Sequence, residues 1–172
     1  MAVRIRVNLA PRLSAERLRA YLKGLPDFED ALAEERAMAH ALGFSSFSTA
    51  LHFFHTWPAH RQAGQLVLER HAEIDGNVYY LLDPAARWPE GAHPLAATLL
   101  RRAMIEDTLD GAKSKRYRHA ARHLAECQSL ASVISDHGQF EMHEAFVTRV
   151  RARHGRKTGF WSLVTDSAGV RR

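Results

Sequence analysis

Apolar residues along this chain recur at intervals of three and four, in segments rich in Ala, Leu, Glu and Arg. That is the period of helices with one buried face. Ser14 predicts the start of a helix running to about Lys23, stopped by Gly24 and Pro26. Asp27 reads as the cap of the next, with Phe28, Glu29 and Asp30 in its first turn, where acids complement the free N–H groups. That helix ends at Leu42-Gly43. "SSFSTALHFFHTW" predicts a short aromatic helix, and Pro58 opens another reaching about Glu73. Asp75-Gly76 is a turn.

"NVYYLLDPAARW" reads as a brief helix interrupted before Pro84, and the irregular "PEGAHP" leads to a long helix from about Leu95 to Asp110, closed by Gly111. Ser114 is then the expected cap of a helix whose apolar stripe is Tyr117, Ala120, Leu124, Cys127, Ala131 and Ile134. After the turn "SDHGQ", a helix from about Phe140 to His154 is expected to bury Met142, Phe146, Val147 and Val150, with Gly155 as its stop. Thr158 caps a last short helix through Trp161 and Val164, and "TDSAGVRR" reads as a loose tail. Only "VRIRVN" near the start alternates like a strand. The pattern therefore predicts an all-α protein: antiparallel helical hairpins stacked as a short solenoid-like, helical-repeat array or an irregular bundle. The expected organisation is an N-terminal segment at 1–13, a single all-helical domain at 14–165 and a flexible tail at 166–172.

Composition adds bounds. With 172 residues, 46% of them apolar and 25% charged, the chain is long enough for a hydrophobic core of its own. Cys127 is the single cysteine, so no intramolecular disulfide can form, and a reducing, cytoplasmic setting is the simplest expectation. No apolar run approaches the length of a membrane span. The net charge of +5 is uneven. Residues 1–100 hold 10 Lys/Arg against 11 Asp/Glu, and residues 101–172 hold 14 against 8, so the basic excess lies wholly in the second stretch.

Catalytic grammar is thin. His119 and His123 stand four apart in "HAARH", the spacing of helical zinc sites, and His154 is a candidate third ligand. Ala120 stands where the zincin motif has its glutamate, and each i+4 step climbs about 6 Å of helix axis, too far for one cation to reach three successive positions. The alternative is that these histidines flank the buried stripe and bond to neighbouring helices. Cys127 falls on that stripe, where a thiol is usually inert packing. No nucleophile elbow, Walker A loop or dinucleotide fingerprint occurs. No cofactor is expected. An enzyme is the less favoured reading, and the cluster Phe44, Phe47, Phe53, Phe54 and Trp57 reads as core because no basic residues interleave it.

The basic segments remain: "KSKRYRH" at 113–119 and "RVRARHGRKTGFW" at 149–161. Arg151, Arg153 and His154 suit a helix end, where cations meet the last carbonyls. Arg149 and Arg153 are a like-charge pair four apart, and Lys115, Arg116 and Arg118 crowd a first turn where cations are disfavoured. If the last four helices run up and down, the turns at 111–115 and 155–158 share one end. The candidate anion-binding residues are then Lys113, Ser114, Lys115, Arg116, Arg118, Arg149, Arg153, Arg156 and Lys157, helped by free N–H groups after Ser114 and Thr158. Glu106, Asp107 or Glu144 can instead absorb the charge across helices.

"LRAYLKGLPDFEDALAEERAMAHA", "HPLAATLLRRAMIEDTL", "KSKRYRHAARHLAECQSLA" and "HEAFVTRVRARHGRKTGFWSLV" together resemble a bacterial family of helical proteins of unknown function, from about Ser14 to Val164. Members are often longer, with a further helical region ahead of this part, so the resemblance implies a short form or the carboxy-terminal module, with "MAVRIRVNLA" outside it. It implies a helical protein and brings no activity, cofactor or catalytic residue. The reading that follows is a helical interaction module, for scaffolding or protein binding, with a basic end at 113–122 and 149–157. A protein partner comes first, phosphate-backbone binding to nucleic acid second, an enzyme or metal site around His119, His123 and His154 third. No membrane partner is expected.

Overall fold

A computed structural model describes residues 13–87 and 93–169. Among them are nine α-helices, two short 3₁₀ turns and no strand, so the all-α expectation holds. "VRIRVN" and most of "PEGAHP" lie outside the described residues, as do 170–172. No described helix is long and apolar enough to cross a membrane. The chain divides into two compact units, one ending at Leu66 and the other beginning at Val67.

The first unit holds α1 (Ala15–Leu22), α2 (Asp27–Leu42) and α3 (Phe47–Thr56), followed by the start of α4 (His60–Glu69). Ser14 caps α1 by accepting from the N–H of Arg17 at 3.3 Å, and Ser46 caps α3 through Thr49 at 3.2 Å. α2 begins at Asp27 itself with Pro26 in the cap position, and the Asp27 side chain lies outside the described residues. α4 starts at His60, not Pro58, because the Ala59 N–H still bonds back to Phe54. Phe47, Phe53 and Phe54 are buried, as core residues. Trp57 stacks parallel to Phe53 and donates through Nε1 to Glu34 at 2.8 Å, tying the end of α3 to α2. Arg19 lies over the Trp57 ring and bonds the Thr56 carbonyl, which adds α1.

The second unit contains α5 (Tyr79–Ala85), α6 (Pro94–Asp110), α7 (Tyr117–Ala131), α8 (His143–His154) and α9 (Thr158–Gly169). α6 is its centre. Ala96, Leu100, Met104, Ile105 and Leu109 are buried along it, while Glu106, Asp107 and Asp110 reach its surface. α7 packs on α6 and α9 through Ala120, Ala121, Leu124 and Cys127, and Phe146, Val150, Phe160 and Trp161 complete the cluster. Two local expectations need correcting. α5 continues through Pro84; the carbonyl that loses a donor belongs to Tyr80, whose 82% exposure leaves it to water. Met142 is exposed instead of buried, because it is the cap residue ahead of α8. Gly155 ends α8 as expected, with right-handed φ/ψ, and a Cβ there would sit 2.8 Å from the Arg151 carbonyl oxygen.

Candidate functional site

The start of α7 and the start of α9 meet at one end of the second unit. Tyr117 packs edge-on against Phe160 at 6.0 Å between centroids, and Gly159 lies against the Tyr117 ring. At the same end, Asp110 closes α6 and lies 3.2 Å from Nη2 of Arg153 and 3.0 Å from Nε2 of His154, both at the end of α8. The basic turns at 111–116 and 155–157 therefore stand together.

Half of the expected anion-binding cations already have acids. Lys113 is held by both oxygens of Asp107, at 2.9 and 2.7 Å, and by Asn77 at 3.0 Å. Arg116 reaches Asp107 at 3.8 Å and lies over the ring of Tyr79. Arg149 bridges Glu141 and Glu106, and these hydrogen bonds raise its pKa above the usual arginine value. The like-charge pair with Arg153 is thus resolved across helices, with Arg153 on Asp110. Arg151 stacks over Trp161 at 4.2 Å. Lys115, Arg118, Arg156 and Lys157 remain, and none of them forms an ion pair among the described residues. All but Lys157 are exposed, and Lys157 is half-buried.

Much of the backbone part of the expected pocket is already used within the fold. Ser114 does not cap α7: it opens a 3₁₀ turn, Ser114–Arg116, and α7 starts at Tyr117 behind Arg116. The N–H groups of Ser114, Arg116, Thr158, Phe160 and Trp161 all bond backbone carbonyls, so they have nothing to offer an anion.

His119, His123 and His154 do not converge. His119 is exposed and sits edge-on to Tyr79. His123 is 1% exposed, with Nδ1 3.0 Å from Glu126 and Nε2 2.8 Å from the Tyr79 hydroxyl, while His154 pairs with Asp110. Among the described residues no group of three or more His, Cys, Asp or Glu is arranged to hold a metal ion. Burial lowers the His123 pKa against the opposing pull of Glu126 and Asp83. Glu126 is held below its usual range by Arg101 and His123 despite its own burial, so it accepts only. The neutral ring then carries its proton on Nδ1 and accepts from the tyrosine through Nε2.

Hydroxyl, imidazole and carboxylate in series have the layout of a nucleophile, base and orienting acid. The electrostatics run the other way: burial and Asp83 raise the Tyr79 pKa, and Arg122 also bonds its hydroxyl, at 3.3 Å. An activated nucleophile needs the opposite shift. The series is a hydrogen-bonded strut between α5 and α7. Cys127 is fully buried, and that burial pushes its thiol up to about 12, which leaves no thiolate at neutral pH.

Sequence reasoning missed two arginines. Arg101 and Arg102, in "TLLRRAMI", are 7% and 4% exposed on α6. Arg101 donates to Glu126 at 2.7 Å and to the Ala97 carbonyl at 3.3 Å. A signal existed: the i±3 and i±4 neighbours of Arg101 are Ala97, Thr98, Met104 and Ile105, with no charge among them.

A family of unknown function (DUF6880) has a sequence model that matches residues 3–163. The match takes in most of the opening segment that the resemblance had left outside. Neither the curated proteins nor the solved structures contain a match to this chain.

Proposed function

The chain belongs to the family of unknown function DUF6880, and from that premise, which brings no activity with it, we propose that it is a non-enzymatic interaction module. Its docking surface is the basic end of the second unit, and its partner is a protein presenting a short acidic segment. The observation that carries this reading is the set of exposed or half-buried cations, Lys115, Arg118, Arg156 and Lys157, left without acids where every neighbouring cation has a partner. Surface charges that a fold does not use for itself are available for electrostatic docking.

A groove of about 290 Å³ beside them, lined by Arg151, Trp161 and Thr158, gives an apolar side chain a place next to the acids. The small size of the patch favours a protein segment over a nucleic acid. A protein that neutralises about 6–10 phosphates needs more cations than the four left without acids here.

Anisotropy titration of a labelled Glu-rich peptide carrying one tryptophan, beside single-stranded DNA, duplex DNA and RNA, tests the proposal. The expected result is micromolar peptide binding that weakens with salt and falls at least about tenfold in Lys115→Glu/Arg118→Glu and in Arg156→Glu. Tighter binding to DNA or RNA with a steep salt dependence replaces the protein partner by a nucleic acid. No binding of any probe at low salt sinks the docking surface altogether.

A further inference from the structure

Arg102 is 4% exposed, and its guanidinium lies over the ring of Phe146 at 4.7 Å. One nitrogen, Nη1, donates to the backbone carbonyl of Glu141 at 2.8 Å. The other two, Nε and Nη2, are buried and meet no acceptor among the described residues. Together those two form the side-on fork of the guanidinium, whose parallel N–H bonds match the two oxygens of one carboxylate. Stacking on Phe146 occupies a face of the plane and leaves the in-plane fork unsatisfied. Buried charged donors without acceptors are rare in folded proteins because nothing replaces the water they lose.

The same residue helps line a cavity of about 500 Å³. Ile74, Leu99, Ala103 and Phe140 give it apolar walls. The loop carrying Ile74 is pressed onto α6 at Gly76, where a Cβ would fall 2.1 Å from the Ala103 carbonyl oxygen. Glu106, Asp107 and Glu141 also line it, but each is clamped: Arg149 holds Glu106 and Glu141, and Lys113 holds Asp107. Among the described lining residues Arg102 is the one arginine or lysine, and it forms no ion pair with them.

We infer that this cavity binds a small carboxylic acid, with the carboxylate on Nε and Nη2 of Arg102 and an apolar body against Ile74, Leu99 and Phe140. A monoanion is matched by the single guanidinium. A phosphate monoester brings a second charge that the three fixed carboxylates repel, so the site discriminates by charge as well as by shape. The inference is independent of the docking surface, since Lys115, Arg118, Arg156 and Lys157 do not line the cavity.

Isothermal titration and thermal denaturation of the full chain test it, with benzoate, phenylacetate and hexanoate as probes. The matching amides and phenyl phosphate are the controls. At least one acid is expected to bind saturably with a millimolar or tighter dissociation constant, and its amide and phenyl phosphate at least about tenfold more weakly. Arg102→Lys keeps the charge and removes the fork, so acid binding should fall about tenfold or more. Ala103→Leu leaves Arg102 in place and fills the cavity, and it should lose the acid as well. If one variant fails to fold, the other decides. Three results overturn the site: no acid bound up to about 10 mM, amides bound as well as acids, or an unchanged acid affinity in Ala103→Leu.

Discussion

The two units bury different chemistry. Residues up to Leu66 enclose Leu18, Ala37, Ala41, Leu51, Phe53 and Phe54. The unit from Val67 onward buries a comparable apolar set and, in addition, Thr98, Arg101, Arg102, Thr108, His123, His143 and His154; every buried polar or charged residue among those described lies there. The first unit keeps its polar links at the core's margin, as with Trp57 on Glu34. The second runs them through the interior, from Tyr79 through His123 and Glu126 to Arg101. Apolar packing asks for volume and tolerates exchange, whereas a buried charge needs a particular partner at a particular distance. Both proposed sites fall in the unit with the stricter demand.

The difference can be broken from either side. The largest effect is expected in the apolar unit: Phe54→Ala should lower stability by about 3–5 kcal/mol in urea unfolding, while Phe54→Leu should recover much of it. In the polar unit, Glu126→Ala strands both Arg101 and His123. Glu126 is 37% exposed, so the expected loss is about 2–3 kcal/mol, less than for a fully buried pair. Equal tolerance of Glu126→Ala and of its isostere Glu126→Gln would remove the distinction between the units. Gly76→Ala drives a methyl into the Ala103 backbone and should cost about 1–3 kcal/mol by the same measurement.

A smaller effect is a pH dependence. His123 and His143 in the second unit, and His55 in the first, are held below the ordinary value of 6.5 chiefly by burial. Between their folded and unfolded pKa values the unfolded chain binds more protons than the folded one, so their neutral burial stabilises the fold above about pH 6.5 and that stability is lost as pH falls. Glu126, depressed by Arg101 and His123, adds a loss of the same sign in a lower window, below the ordinary 4.5. Urea midpoints measured at about pH 8 and pH 5.5 should show the decline, and His123→Gln should flatten it more than His55→Gln, because His123 is almost wholly buried and His55 is not. The smallest effect belongs to the exposed end: Lys115→Ala and Arg156→Ala should leave stability within about 0.5 kcal/mol while weakening peptide binding.

Local grammar was legible wherever one residue and its near neighbours settle the matter. Ser14 and Ser46 cap as their positions suggest, and the α7 stripe through Ala120, Leu124 and Cys127 is buried. It failed where the deciding contact lies elsewhere in the chain. Ser114 looks like a cap, yet the turn between α6 and α7 tightens into a 3₁₀ segment, and the residue ahead of it, Lys113, is bonded to Asp107 and to the distant Asn77. Arg149 looks unpaired beside Ala145 and Arg153, but its acids come from Glu106 on α6 and Glu141 ahead of α8.

The sequence by itself determined that the chain is helical, where most helices start and stop, and that the basic excess falls after residue 100. These depend on period, capping and composition, which act over a few residues. The tertiary structure decided which of those charges remain available. Arg101 and Arg102 are adjacent letters, yet one is neutralised by Glu126 and the other keeps an unmatched fork beside a cavity. The reason is physical: the worth of a charge is set by the acid and the water within a few ångströms of it, and those neighbours arrive only when distant helices pack.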